Sequence, residues 1–278
     1  MDFIDTHQHL IYRDRFSYDW TAQHQALATA TFTLPDYRAL TAARGIAGTL
    51  FMEVDVPEAE YRDEARFVAT LTGTHGLLGQ VASCRPENDA GFDDWLAECR
   101  TLSVKGLRRI LHEAPDDLSR DPTFRRNLRK IGAASLPFDL VFLARQHTIA
   151  MDLLHALPDQ TFVLDHCGVP NVAGGDFDSW SRSLRALAAF PNLSAKLSGI
   201  TTYCAPGTAT LATIKPYVDH LIDCFGPARI VWGSDWPVVN LRTTLPDWLT
   251  LTRTLIADLS PTERAAIAHT NAKRIYNL

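Results

Sequence analysis

Two patterns of hydrophobic and polar positions alternate along almost the whole chain. Short apolar runs occupy Phe3–Thr6, Ala47–Glu53, Leu77–Ala82, Lys105–Leu111, Phe138–Leu143, Phe162–Asp165, Leu193–Leu197 and Arg229–Gly233. Most are nearly continuous in hydrophobicity rather than alternating, as parallel strands buried on both faces must be. Between them apolar residues recur at helical spacing. Leu211, Ile214, Val218, Leu221, Ile222 and Phe225 form one such stripe; Phe124, Leu128 and Ile131 form another. The last helix carries its own start signal, with Ser260 as N-cap, Pro261 at the first helical position and Glu263 completing a capping box. It is expected to run to Tyr276.

Strands alternating with helices predict a closed (β/α)₈ TIM barrel, one α/β domain over residues 1–278. No internal repeat, low-complexity tract or linker interrupts it. The longest irregular stretches, 10–34 and 167–180, each follow a strand end, where barrel enzymes place their substrate loops.

Composition narrows the partners. A net charge of −5 gives no basic face for a nucleic-acid backbone. No apolar stretch approaches the roughly 20 residues needed to span a bilayer, and Met1–Asp5 does not open a secretory signal. The five cysteines are odd in number and form no C-x-x-C pair, so a reduced, cytoplasmic setting is expected. Oligomeric state leaves no mark in the sequence.

The candidate chemistry sits at strand ends. The first strand ends Asp5-Thr6-His7-Gln8-His9. Side chains alternate on a strand, so His7 and His9 point the same way, about 7 Å apart along the backbone. Two imidazoles so placed can share a metal ion or a substrate oxygen. The sixth strand ends in Asp165-His166-Cys167-Gly168 and the eighth in Gly233-Ser234-Asp235-Trp236-Pro237. All strand ends of a parallel barrel open on one face, which would bring His7, His9, His166 and Asp235 together. A polar residue capping a buried apolar strand is costly unless paired or functional.

These segments resemble the amidohydrolase superfamily, in particular its branch of sugar-lactone and pyrone-dicarboxylate lactonases. The likeness extends through Lys105-Gly106-Leu107-Arg108-Arg109, Ala195-Lys196-Leu197-Ser198-Gly199, Phe225-Gly226 and Asn271-Ala272-Lys273-Arg274-Ile275-Tyr276, from residue 3 to 276. The resemblance implies that Asp235 is the general base that activates water. It implies further that His7, His9 and His166 polarise the attacked carbonyl, directly or through one divalent ion such as zinc. Unlike the wider superfamily, the chain has no lysine at the end of its fourth strand, Lys105 lying at the start, so a bridged binuclear centre is not expected.

Secondary candidates follow from position. Arg108 and Arg109 are neighbours on a strand, so only one can face the barrel mouth, either as a substrate ligand or in a salt bridge to a helix. Lys196, His112 and His147 lie at or after strand ends and are further substrate-binding candidates, as is Trp236, either on a sugar face or in the core. Glu53 ends the second strand as a metal ligand or a histidine partner. His24, His75, His155, His220 and His269 read as surface or structural, and Cys167 as packing.

The expected activity is opening of a small lactone, with a sugar aldonolactone preferred over a pyrone dicarboxylate. The alternatives are metal-dependent decarboxylation of an aromatic acid on the same scaffold and, without catalysis, binding of a sugar acid.

Overall fold

The computed structural model describes residues 1–278. Eight strands, β1 (Phe3–Gln8), β2 (Ile46–Met52), β3 (Leu77–Ser83), β4 (Val104–Ile110), β5 (Phe138–Val141), β6 (Phe162–Leu164), β7 (Leu193–Leu197) and β8 (Ile230–Trp232), pair in sequence order. Every pairing is parallel. The ring closes beyond the end of β8: Asp235 N donates to His7 O at 2.8 Å and His9 N to Trp236 O at 2.7 Å. The chain is therefore a single (β/α)₈ barrel.

Helices α1 (Leu34–Thr41), α2 (Tyr61–Leu71), α3 (Phe92–Cys99), α4 (Pro122–Ala133), α5 (His147–Ala156), α6 (Phe177–Ala188), α7 (Leu211–Phe225) and α8 (Leu245–Leu255) form the outer layer. Their buried faces and the outer faces of the strands make the main core, which includes Trp95, Trp180 and Trp248. None is long and apolar enough to cross a membrane. All five cysteines are unpaired.

The strand ends fall within two residues of the sequence expectation, and two departures have a visible cause. The fifth strand stops at Val141 rather than Leu143, because the Gln146 side chain accepts the Leu143 N–H at 2.9 Å and turns the chain into a 3₁₀ turn at Ala144–Gln146. The capping box at Ser260 and Glu263 is present, but the helix it starts, α9 (Pro261–Ala265), opens into a π turn at Ala266–Thr270 before resuming as α10 (Asn271–Tyr276). There the Asn271 amide donates to Pro227 O at 2.8 Å and Ile230 O at 2.7 Å. Ala272, Ile275 and Tyr276 are thereby presented to the apolar barrel interior, formed by Ile4, Leu50, Met52, Val81, Val163 and Val231.

The 10–34 segment lies over the barrel mouth. A short antiparallel bridge joins Ile11 to Phe32. Trp20 Nε1 donates to Val54 O at 2.9 Å, and the Glu60 carboxylate receives Ser17 N and Oγ at 2.8 and 3.0 Å.

Candidate active site

The mouth holds a cavity of about 470 Å³, within the range of small-molecule sites. His9, Arg108, His166 and Asp235 line it, together with Trp20, His24, Val54, Asp55, Ile110, His112, Glu113, Val141, Thr202, Tyr203 and Val238.

Local backbone geometry aims the polar groups. His7 sits inside β1 and His9 just beyond it, so alternation turns both inward, with ring centroids 4.9 Å apart. His166 is reached through a tight turn after β6 in which His166, Cys167, Gly168 and Val169 all have positive φ. Asp235, with φ 57°, adopts the same left-handed conformation after β8. Such backbone is costly for residues other than glycine and clusters where side chains must be aimed.

The four residues named from the strand ends converge. Asp235 Oδ1 lies 3.4 Å from His9 Nε2 and 3.7 Å from His7 Nε2, and the His166 ring centroid is 4.5 Å from that of His7. His9 Nδ1 hydrogen-bonds to Met52 O at 3.0 Å, so it carries the proton and leaves Nε2 toward Asp235 as an acceptor. Two acceptors facing each other need something positive between them, a shared proton or a metal ion. The buried ligand atoms of His7, His9 and Asp235 lie within 4.8 Å of one another, and those of His7, Asp165 and His166 form a second such group. A nitrogen–oxygen donor set of this size fits one zinc-like divalent ion. Burial lowers the pKa of His166 and holds that of His7 well below the usual histidine range, favouring the neutral imidazoles that ligate metals.

Behind these residues lies a layer of buried charge. Lys196 Nζ bonds to a carboxylate oxygen of Asp139, and lies 3.0 Å from Asp165 Oδ1 and 3.2 Å from Thr6 O. Asp165 also faces His7 Nδ1 and Arg108 Nη1, each at 3.4 Å. Burial alone would raise the Asp165 pKa, but Lys196 and His7 outweigh it and hold the carboxyl well below the ordinary carboxylate range. At Asp139 burial outweighs Lys196, and its pKa is pushed up to about 6.

The remaining candidates separate. Arg108 faces inward and lines the cavity, but its Nε meets Glu53 Oε1 at 2.6 Å and its Nη2 meets Glu53 O at 2.8 Å. Glu53 thus holds an arginine instead of a metal or a histidine. Arg109 points to the outer side and pairs with Glu87 at 2.9 Å. Lys196 is fully buried beneath the histidines, away from the cavity wall. His147 also lies behind the wall, between Ser183 Oγ at 2.7 Å and Gly168 O at 2.8 Å, where it braces the turn that carries His166. Trp236 packs against Phe32 and Tyr37, on the core side. His112 does line the cavity, and burial lowers its pKa to about 4.

Sequence reasoning missed His24, which lines the cavity instead of standing on the surface. It gave no role to Asp165, Asp139, Thr202 or Tyr203. Asp139 did carry a signal, a carboxylate inside the apolar run Phe138-Asp139-Leu140.

The sequence model of the family described as "Amidohydrolase" matches residues 4–278. The chain belongs to the amidohydrolase family. An L-fucono-1,5-lactonase of Burkholderia ambifaria is 28% identical, the match covering 99% of this chain and 95% of that protein. A 2-pyrone-4,6-dicarboxylate hydrolase of Comamonas testosteroni is 31% identical over 34% of this chain and 33% of its own length. The crystal structure of an amidohydrolase from Burkholderia multivorans with bound zinc superposes with a TM-score of 0.89, at 27% identity and over 100% of both chains.

Proposed function

We propose that this amidohydrolase-family protein hydrolyses a small neutral lactone, a sugar aldonolactone, at the barrel mouth, with Asp235 as general base. The reading rests on one observation: the carboxylate of Asp235 and the imidazoles of His9 and His166, with His7 buried behind them, stand at the floor of a cavity with no free cation. Arg108 is the only cationic side chain of the lining other than histidine, and Glu53 and Asp165 already engage it. Asp55, Glu113 and Asp235 add negative charge. A dicarboxylate would enter against that charge without a guanidinium to receive it, whereas a polyhydroxylated lactone offers hydroxyls to His112, Thr202 and Tyr203 and apolar carbons to Val54, Ile110, Val141 and Val238. The similarity to the fuconolactonase supports the same substrate class.

In this reading Asp235 accepts a proton from water as it attacks the lactone carbonyl. His9 and His166, with His7 behind them, face the oxygen on which charge develops and polarise it through the proton or divalent ion held at their free nitrogens. The C–O bond to the ring oxygen then breaks, and that oxygen takes a proton from Asp235 or a neighbouring imidazole to become a hydroxyl. A divalent ion held by His7, His9 and Asp235 would supply further polarisation of the carbonyl. Lys196 and Asp165 act through His7 by fixing its orientation. Hydrolysis makes a carboxylate inside an already negative cavity, which favours release of the acid.

A panel of aldonolactones followed with a pH indicator tests the proposal, because each turnover releases one proton. Turnover of at least one aldonolactone, with none of 2-pyrone-4,6-dicarboxylate, is expected. Turnover of the dicarboxylate alone would contradict it.

A further inference from the structure

Beside the mouth, on the other side of the segment that follows β2, lies a second cavity of about 280 Å³. Its wall is formed by Glu58, Ala59, Tyr61 and Arg62 before and at the start of α2, by Arg66 and Asp63 one turn on, and by Arg85, Asn88, Ala90 and Phe92 after β3. Two of its guanidiniums are unusual. Arg85 is only 7% exposed, yet it meets only neutral acceptors, with Nη1 donating to Ser83 Oγ at 2.7 Å and Cys84 O at 3.0 Å. Arg62 likewise meets only the Tyr61 hydroxyl at 3.0 Å and Gly91 O at 3.0 Å. No carboxylate oxygen lies within 4.0 Å of either guanidinium. Both approach one aromatic ring, with Cζ 5.0 Å (Arg85) and 5.6 Å (Arg62) from the centroid of Tyr61.

Of the other charges of the lining, Arg66 is paired and Glu58 keeps its negative charge. Arg66 is neutralised by Glu98 and Asp63 at 2.6 and 2.7 Å, and Glu58 accepts from Asn88 at 3.1 Å. A buried cation with no bonded counter-ion is costly; Glu53 and Asp55 lie within electrostatic reach of Arg85 but do not bond it, whereas Arg109, Arg125 and Arg185 bond carboxylates directly. The Nε and Nη2 of Arg85 and the Nη1 of Arg62 have no acceptor in the protein.

We infer that this cavity is an anion site that takes a phosphate group between Arg85 and Arg62, separate from the lactone site. Planar guanidiniums offer forked donors to phosphate oxygens, and Arg62, Arg66 and Arg85 against Glu58 and Asp63 leave the lining net positive. The group can arrive as free phosphate or on a phosphate monoester.

Calorimetry at low ionic strength with inorganic phosphate, a hexose monophosphate and acetate tests this. Saturable 1:1 binding of a phosphate is expected. Arg85→Gln and Arg62→Gln should each weaken it about tenfold or more, the loss expected for one charge-assisted pair, while Asp235→Asn binds as the parent does. Preference for the monoester identifies a carried phosphate, and equal affinity the free ion. Arg62 is the more exposed side chain, so Arg62→Gln carries the test if Arg85→Gln fails to fold. Lactone turnover of Arg62→Gln should equal that of the parent. No saturation by either phosphate up to about 10 mM, binding of acetate alone, or phosphate binding insensitive to Arg62→Gln would overturn the inference.

Discussion

The inside of the barrel is filled in two different ways. Ile4, Leu50, Met52, Val81, Val163 and Val231 close one part with apolar side chains, sealed by Ala272 and Ile275 of α10. The other part holds Asp139, Lys196, Asp165, His7, Arg108 and Glu53, all buried and joined by ion pairs. Tyr276 stands between them. Its ring belongs to the apolar cluster, and its hydroxyl donates to Asp139 at 2.9 Å. Both fillings exclude water, but only the apolar one is an inexpensive way to do so. Buried charge often stabilises less than well-packed hydrocarbon of the same volume. The charged filling lies directly beneath the histidines, and its value is orientation: Asp165 faces His7 and Arg108 at once.

The contrast makes opposite forecasts for the two parts. Lys196→Met should be the most damaging change. It leaves Asp139 and Asp165 buried without their ammonium, at a cost of about 3–5 kcal/mol in stability. Turnover should fall as well, because His7 loses a fixed neighbour. Leu50→Ala should cost about 2–5 kcal/mol by opening a cavity, yet leave kcat within a few-fold of the parent in the fraction that folds. Urea unfolding and steady-state rates on both variants decide the matter. If Lys196→Met loses stability alone, the charged part is only packing. Tyr276→Phe should be milder, about 1–2 kcal/mol from the Asp139 carboxylate losing one donor, with turnover changed less than by Lys196→Met.

The fold was legible because each strand is an apolar run that a parallel barrel buries on both faces. What escaped notice was set by side chains reaching across the chain. The stop of the fifth strand at Val141 depends on the Gln146 amide, and the π turn before Asn271 depends on carbonyls at Pro227 and Ile230. The site divides in the same way. His7, His9, His166 and Asp235 could be named because strand ends of a barrel share a face. Their supports could not, since the register between strands decides which inward side chains meet. Glu53 and Arg108 are 55 residues apart, and Lys196 and Asp139 57. Alternation told that one of Arg108 and Arg109 faces inward, but not which. His24 escaped because the loop that carries it is shaped by contacts such as Trp20 to Val54.

Asp235→Asn offers the most direct test of the mouth as a catalytic centre. The substitution keeps the shape of the side chain and its backbone bond to His7, but removes the base. Measured against the best lactone of the panel, kcat should fall about 10²–10⁴-fold, the range of general-base catalysis, with the urea midpoint close to that of the parent. A rate near that of the parent, from protein equally stable, would contradict the assignment of Asp235 as the base.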